Sequence, residues 1–154
     1  RMGFFYFTQN PLGGWGDSGF KHLVNSPEIS IFANQFTREF AYLHGFHNEI
    51  TTNMVRSGIW GLMSSVSLFA VPFVFFVNQM RSADAQQKKI ALMATCYMIC
   101  VILNSMTTEV LNIKFTASFF ALMMSVFIGT LLQNLKHRAQ KINQSSDQSV
   151  PNEA

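Results

Sequence analysis

Three long apolar stretches dominate the second half of the chain and set its predicted architecture. They cover residues 57–77, 90–106 and 115–132, and the charged residues lie before, between and after them. A helix of about 20 apolar residues crosses a hydrocarbon layer of about 30 Å. The pattern therefore predicts an all-α membrane protein with three transmembrane helices, the first of them bent at Pro72.

The composition narrows the class of protein. The 154 residues are 49% hydrophobic and only 12% charged, and the mean hydropathy is +0.19. Soluble domains carry about 25% charged residues, so too few charges remain here to cover a water-facing globule. A soluble enzyme and a disordered chain are therefore disfavoured. The two cysteines, Cys96 and Cys100, share one helix face and do not indicate a disulfide scaffold.

The net charge of +3 is best explained as an orientation signal. The basic residues are scattered, whereas nucleic-acid-binding domains cluster them on one face, so no nucleic-acid partner is expected. The surplus lies in the 78–89 link and in the tail after residue 135. Because positive residues stay in the cytoplasm, we predict a cytoplasmic C-terminus and an outer, periplasmic region over residues 1–56. The polar tail, 136–154, is predicted to be cytoplasmic and disordered.

Residues 1–56 differ from the spans in composition, with more charged residues and more glycine. Residues 10–20, NPLGGWGDSGF, are typical of a turn-rich loop. Apolar residues at helical spacing between residues 29 and 42 predict a short amphipathic helix. The outer region is therefore expected to combine a glycine-rich loop with short helices.

The densest polar patch is HGFHNE, residues 44–49, just before the first span. Asn48 is placed to cap that helix, which leaves His47 beside the positive end of the helix dipole. A neutral histidine accepts a proton, as a general base must. The alternative is a pair of surface histidines next to a membrane. A zinc site formed by His44, His47 and Glu49 is only weakly indicated, because no cysteine lies nearby, and we predict no metal.

Two segments resemble the O-antigen ligase and polymerase superfamily. NPLGGWGDSGF is similar to that family's Asn-Pro-Leu-x-Gly-x-Gly loop, and HGFHNEITTNMVRSGIWGLM is similar to its His-Asn motif and the Gly-x-x-Gly-Leu helix start that follows. The matching positions include Gly14, Gly16, His44, His47 and Asn48. The pair Ile50-Thr51 departs from the family pattern. Family members have about a dozen spans, so the chain resembles the C-terminal portion of such a protein, without the family's upstream arginines.

The resemblance implies a membrane glycosyltransferase of the bacterial inner membrane that needs no cofactor. It would move a glycan from undecaprenyl pyrophosphate to lipid A–core. His47 would act as the general base, and His44, Asn48, Gly14 and Gly16 would bind substrate. Arg38 and Arg56 are the candidate cations for the pyrophosphate, because arginine forms charge-assisted hydrogen bonds with it.

Three alternatives remain open at this point. An O-antigen polymerase or a protein O-oligosaccharyltransferase of the same superfamily would differ only in the acceptor. A non-enzymatic membrane scaffold subunit belongs to another class, and it would not need His47.

Overall fold

A computed structural model describes residues 2–24, 27, 34–44, 46–82, 84–111 and 113–147. Within these residues the chain is helical and contains no strand. The six helices are α1 (Met2–Gln9), α2 (Gly16–Val24), α3 (Gln35–His44), α4 (Glu49–Gln79), α5 (Ala85–Ser105) and α6 (Lys114–Asp147).

The last three helices are long and apolar enough to cross a membrane. Their shared core is made of interleaved aromatic and aliphatic side chains, including Phe69, Phe76, Met98, Phe120 and Leu131. Large apolar side chains also cover their outer surfaces, and Val71, for example, is 67% exposed. A helix that is apolar all round is typical of a membrane span. The three predicted spans are thus present as helices.

Helix α4 is sharply broken at Gly58, where φ is 63° and ψ is −145°. The break divides it into an outer arm, residues 49–57, and a long arm, residues 59–79. Asn53 Nδ2 on the outer arm donates to Ser65 Oγ on the long arm at 2.9 Å. Residues twelve apart in a straight helix lie about 18 Å apart along the axis, so the outer arm must fold back. The long arm corresponds to the predicted first span, and its helical backbone continues through Pro72.

The outer arm is packed between α1 and the loop that joins α5 to α6. Gly3 of α1 lies against Thr51, where a larger residue would collide with the threonine methyl group. Tyr6 and Val55 are buried in a small second core with Trp15 and Phe46 around them. Helix α2 contacts both α4 and α3. This outer layer is where the residues singled out in the sequence converge.

Two boundaries differ from the sequence predictions. Helix α6 continues to Asp147, well into the segment 136–154 for which the composition predicts disorder. Residues such as Leu, Lys, Arg, Ala and Gln extend a helix already nucleated in the apolar stretch at little cost. The amphipathic helix predicted over residues 29–42 falls partly outside the described residues, and α3 occupies its second half.

Candidate functional site

The glycine-rich loop fits directly into the break of α4. Trp15 N donates to Val55 O at 3.0 Å, and Ile59 N donates to Pro11 O at 2.7 Å. A break in a helix leaves backbone groups without their usual partners, and buried backbone groups must be paired. The loop supplies those partners. We call the combined structure, residues 10–16 with residues 55–59, the glycine junction.

Two glycines make the close approach possible. A Cβ atom on Gly14 would collide with the backbone of Arg56 and Gly58, and one on Gly58 would collide with the backbone of Pro11 and Leu12. Both glycines also have positive φ, at 66° and 63°. Only glycine adopts such a conformation without a steric penalty. The junction therefore requires glycine at both positions for two separate reasons.

Gly16 and Asn10 shape the loop itself. Gly16 has φ 67° with open space around it, so only its backbone conformation calls for glycine. Asn10 Nδ2 donates to Gly14 O at 2.6 Å and closes the turn. Trp15 Nε1 donates to Tyr6 O at 2.9 Å and ties the loop to α1. Gly14 and Gly16, which the sequence predicts to bind substrate, thus have structural roles in the loop. The sequence alone does not distinguish those roles from substrate binding.

His47 occupies a strained backbone position at the entrance to α4. Its φ is 51°, and it is the one non-glycine residue with positive φ among those the structure describes. The side chain is half-buried. Histidine, asparagine and aspartate are the residues that most often tolerate this region, at a cost of about 1–2 kcal/mol. Strained residues of this kind concentrate at functional sites.

Asn48 caps α4, as the spacing predicts. Its side-chain oxygen accepts from Thr51 N at 2.9 Å, and its own φ and ψ are extended. Asn48 Nδ2 also donates to Met106 O at 3.2 Å, across to the α5–α6 loop. Asn48, which directly follows His47, is therefore fixed by one hydrogen bond to α4 and one to the α5–α6 loop.

The α5–α6 loop, residues 106–111, holds the histidine-bearing turn through two further hydrogen bonds. Thr52 Oγ1 donates to Glu109 Oε1 at 2.6 Å and accepts from Phe46 N at 3.4 Å. Leu111 N donates to Glu49 Oε2 at 3.0 Å. Because these bonds begin on both sides of His47, they restrict how the turn can move.

The sequence indicates Glu49 only as a weak candidate for a zinc ligand and does not predict its burial. The sequence suggests a polar first turn at the membrane surface, but Glu49 is 1% exposed and Thr52 is fully buried. Glu49 Oε1 accepts from Asn53 Nδ2 at 2.8 Å, so both carboxylate oxygens have N–H partners. A buried carboxylate needs such partners. The signal available in the sequence was the Glu49–Asn53 spacing of four residues, which places both on one helix face.

A groove of about 600 Å³ opens between the two arms of α4 and the α5–α6 loop. The outer arm contributes Glu49 and Asn53, and the long arm contributes Trp60 and Leu68. Between them lie small residues, which keep the groove open: Ser57, Gly61, Ser64 and Ser65. Ligand sites of small molecules commonly have volumes of about 300–1,000 Å³. The groove begins two residues after His47.

The predicted cations are placed differently from one another. Arg56 lies within the glycine junction, and its Nε is 3.0 Å from Asp17 Oδ1 on α2. Its side chain is 27% exposed, whereas that of Asp17 is 79% exposed. Arg38 lies on α3, half-buried, and forms no hydrogen bond or ion pair with the junction among the described residues. His44 is the last residue of α3, and its side chain lies outside the described set.

The structure thus places Gly14, Gly16 and Arg56 in the glycine junction at one end of the outer arm. At its other end lie His47, Asn48, Glu49 and Thr52, bound to the α5–α6 loop that carries Glu109. No family model, no curated protein and no solved structure matches the chain. A functional proposal therefore rests on the motif resemblance together with the fold and the site. The fold and the site define an all-helical chain with three helices capable of spanning a membrane and a polar, tightly constrained site at one end.

Proposed function

We propose that the chain belongs to a membrane glycosyltransferase of the O-antigen ligase type. It would transfer a glycan from undecaprenyl pyrophosphate to lipid A–core at the outer face of a bacterial inner membrane. One observation carries the proposal: the two motif segments interlock at Gly58 through residues at least 40 positions apart in sequence, and a strained His47 precedes the helix arm that lines a groove.

His47 would begin the reaction as a general base. The acceptor hydroxyl gives its proton to the imidazole while its oxygen attacks the anomeric carbon of the donor sugar. The bond between that carbon and the pyrophosphate oxygen breaks, and the lipid pyrophosphate leaves with the electron pair. The imidazolium then loses its proton to water. General-base assistance of this kind contributes about 10²–10⁴ in rate.

The leaving pyrophosphate needs a cation, and Arg56 is best placed to supply it. Its Asp17 partner is largely exposed, and surface ion pairs of this type contribute only about 0–1 kcal/mol. A doubly charged pyrophosphate would therefore compete readily with Asp17 for the guanidinium. Arg38, on the separate helix α3, would need to approach the junction in order to take part.

The groove that begins at Glu49 supplies room for a sugar. Amide, carboxylate and hydroxyl groups line it, together with the exposed ring of Trp60. Because Glu49 contributes negative charge to one wall, the groove suits a neutral sugar better than it suits a phosphate. We therefore propose that the sugar binds in the groove and that the pyrophosphate binds at Arg56.

Substitutions of His47 test the proposal in the full-length protein in its native host. His47→Ala removes the base, and His47→Gly removes both the base and the backbone strain. We expect both variants to lose attachment of glycan to lipid A–core by at least about 100-fold, with lipid-linked glycan accumulating. His22→Ala, in exposed α2, is the matched control and should behave as wild type.

The outcome separates the alternatives. Loss of glycan from proteins, with lipid A–core unaffected, would indicate a protein O-oligosaccharyltransferase. Loss of chain length alone would indicate a polymerase. Normal attachment by His47→Gly would mean that His47 is not a base, and a scaffold subunit would then be the better description.

A further inference from the structure

A second polar cavity lies at the opposite end of the three long helices from the glycine junction. It has a volume of about 380 Å³, and Asp84, Asn134, His137 and Arg138 line it. Asp84 precedes α5, and the other three residues lie on α6 just after its apolar stretch ends. The glycan-transfer proposal makes no use of this cavity.

Two of the lining residues, Asn134 and Arg138, supply hydrogen-bond donors. Arg138 Nη1 lies 3.5 Å from Ser82 Oγ, which holds the guanidinium over the turn between α4 and α5. Asn134 Nδ2 is buried and has no acceptor among the described residues. A buried N–H group without a partner is costly, so a ligand oxygen at this point would be stabilising. A phosphate group carries such oxygens and pairs well with arginine.

A third lining residue, Asp84, supplies a carboxylate. Asp84 caps α5 by accepting from Gln86 N at 2.8 Å through Oδ1. Its second carboxylate oxygen accepts no hydrogen bond from the described residues. An anion alone would be repelled by Asp84, whereas a group with both a phosphate and an ammonium would satisfy both the donors and the carboxylate.

The position of the cavity relative to the membrane indicates the source of such a group. The apolar stretch of α6 ends at residue 132, two residues before Asn134, and that of α5 begins at residue 90, after Asp84. The cavity therefore lies at the level where a span leaves the hydrocarbon and lipid headgroups begin. We propose that this cavity binds the headgroup of phosphatidylethanolamine, with the phosphate on Arg138 and Asn134 and the ammonium on Asp84.

Native mass spectrometry of the purified full-length protein in detergent tests the proposal, with phosphatidylethanolamine, phosphatidylglycerol and phosphatidylcholine added separately. We expect phosphatidylethanolamine to bind about tenfold more tightly than the other two, the effect of one well-placed charged hydrogen bond. Phosphatidylcholine is the sharpest comparison, because its trimethylated ammonium has no N–H to donate to Asp84. Equal affinity for all three lipids would overturn the proposal.

Three variants test the lining residues. Arg138→Gln should weaken the binding of phosphatidylethanolamine about tenfold. Asp84→Asn should still bind lipid but should no longer bind phosphatidylethanolamine more tightly than phosphatidylglycerol. Lys136→Gln removes one positive charge at a residue that does not line the cavity, so it is the matched control and should change nothing. If Lys136→Gln weakens binding as much as Arg138→Gln, general charge attraction is responsible and the site does not exist.

Soluble phosphoethanolamine distinguishes a lipid from a free metabolite. We expect it to leave the bound lipid in place at concentrations that exceed the lipid by about a hundredfold, because it lacks the acyl chains that add affinity at the membrane surface. Displacement at equal concentration would overturn the assignment to a lipid. None of these measurements depends on glycan transfer, so the two proposals can fail separately.

Discussion

The two ends of α4 are built on different principles. Around the outer arm, backbone and side-chain polar groups are paired across three separate segments, and glycines allow contacts that no other residue permits. Along the long arm, contacts are mostly between apolar side chains, and many large apolar residues remain exposed. Polar pairing and close glycine contacts therefore fix the conformation of the outer layer. The long helices support that layer, and their exposed apolar surface suits contact with lipid. Function is expected where the geometry is specified.

The largest expected effect is at the glycine junction. Gly14→Ala places a methyl group against the backbone of Arg56 and Gly58 in a conformation with positive φ. We expect a loss of about 4 kcal/mol in the free energy of unfolding, measured by SDS titration in mixed micelles, because strain and collision add. Gly13→Ala is the matched control, with only an ordinary contact to Asn10, and should cost less than about 1 kcal/mol. Equal effects would show that the loop does not fit into the break.

Truncations of buried aromatic residues compare the two regions directly. Tyr6→Ala in the outer core should cost about 3 kcal/mol, as aromatic truncations do in water-facing proteins. Phe76→Ala in the core of the long helices should cost about 1–2 kcal/mol, since lipid is as apolar as the protein interior and only packing is lost. The same SDS titration measures both residues, which are 1% and 0% exposed. A larger loss for Phe76 would contradict the membrane placement of that core.

The hydroxyl of Thr52 offers a smaller and more specific test. Thr52→Val keeps the shape but removes the donor to Glu109 and the acceptor of Phe46 N. We expect a stability loss of about 1–2 kcal/mol and faster hydrogen exchange at the Phe46 amide. Thr52→Ser retains the hydroxyl and should restore protection of that amide. If Thr52→Val and Thr52→Ser show the same stability and the same exchange rate at the Phe46 amide, the hydrogen bonds of Thr52 do not hold the turn that carries His47.

Hydropathy predicts the long helices because a span depends only on local composition. The Asn48 cap was also predictable, since its hydrogen bond to Thr51 joins residues three apart. The break at Gly58 was not, because its partners lie in the loop some 45 residues earlier. The burial of Glu49 likewise depends on Leu111, on a distant loop. Glycine and histidine in the sequence indicated a site, but only the fold shows why Gly14 and Gly58 must face each other.

Chemical rescue tests whether His47 acts as the general base. His47→Gly leaves space at the imidazole position and suits the positive φ of the backbone. Membranes that carry the full-length variant are supplied with lipid-linked glycan and lipid A–core, and transfer is measured as imidazole is increased. We expect no measurable transfer without imidazole and a return of activity in proportion to neutral imidazole. Transfer at the wild-type rate without imidazole would contradict it.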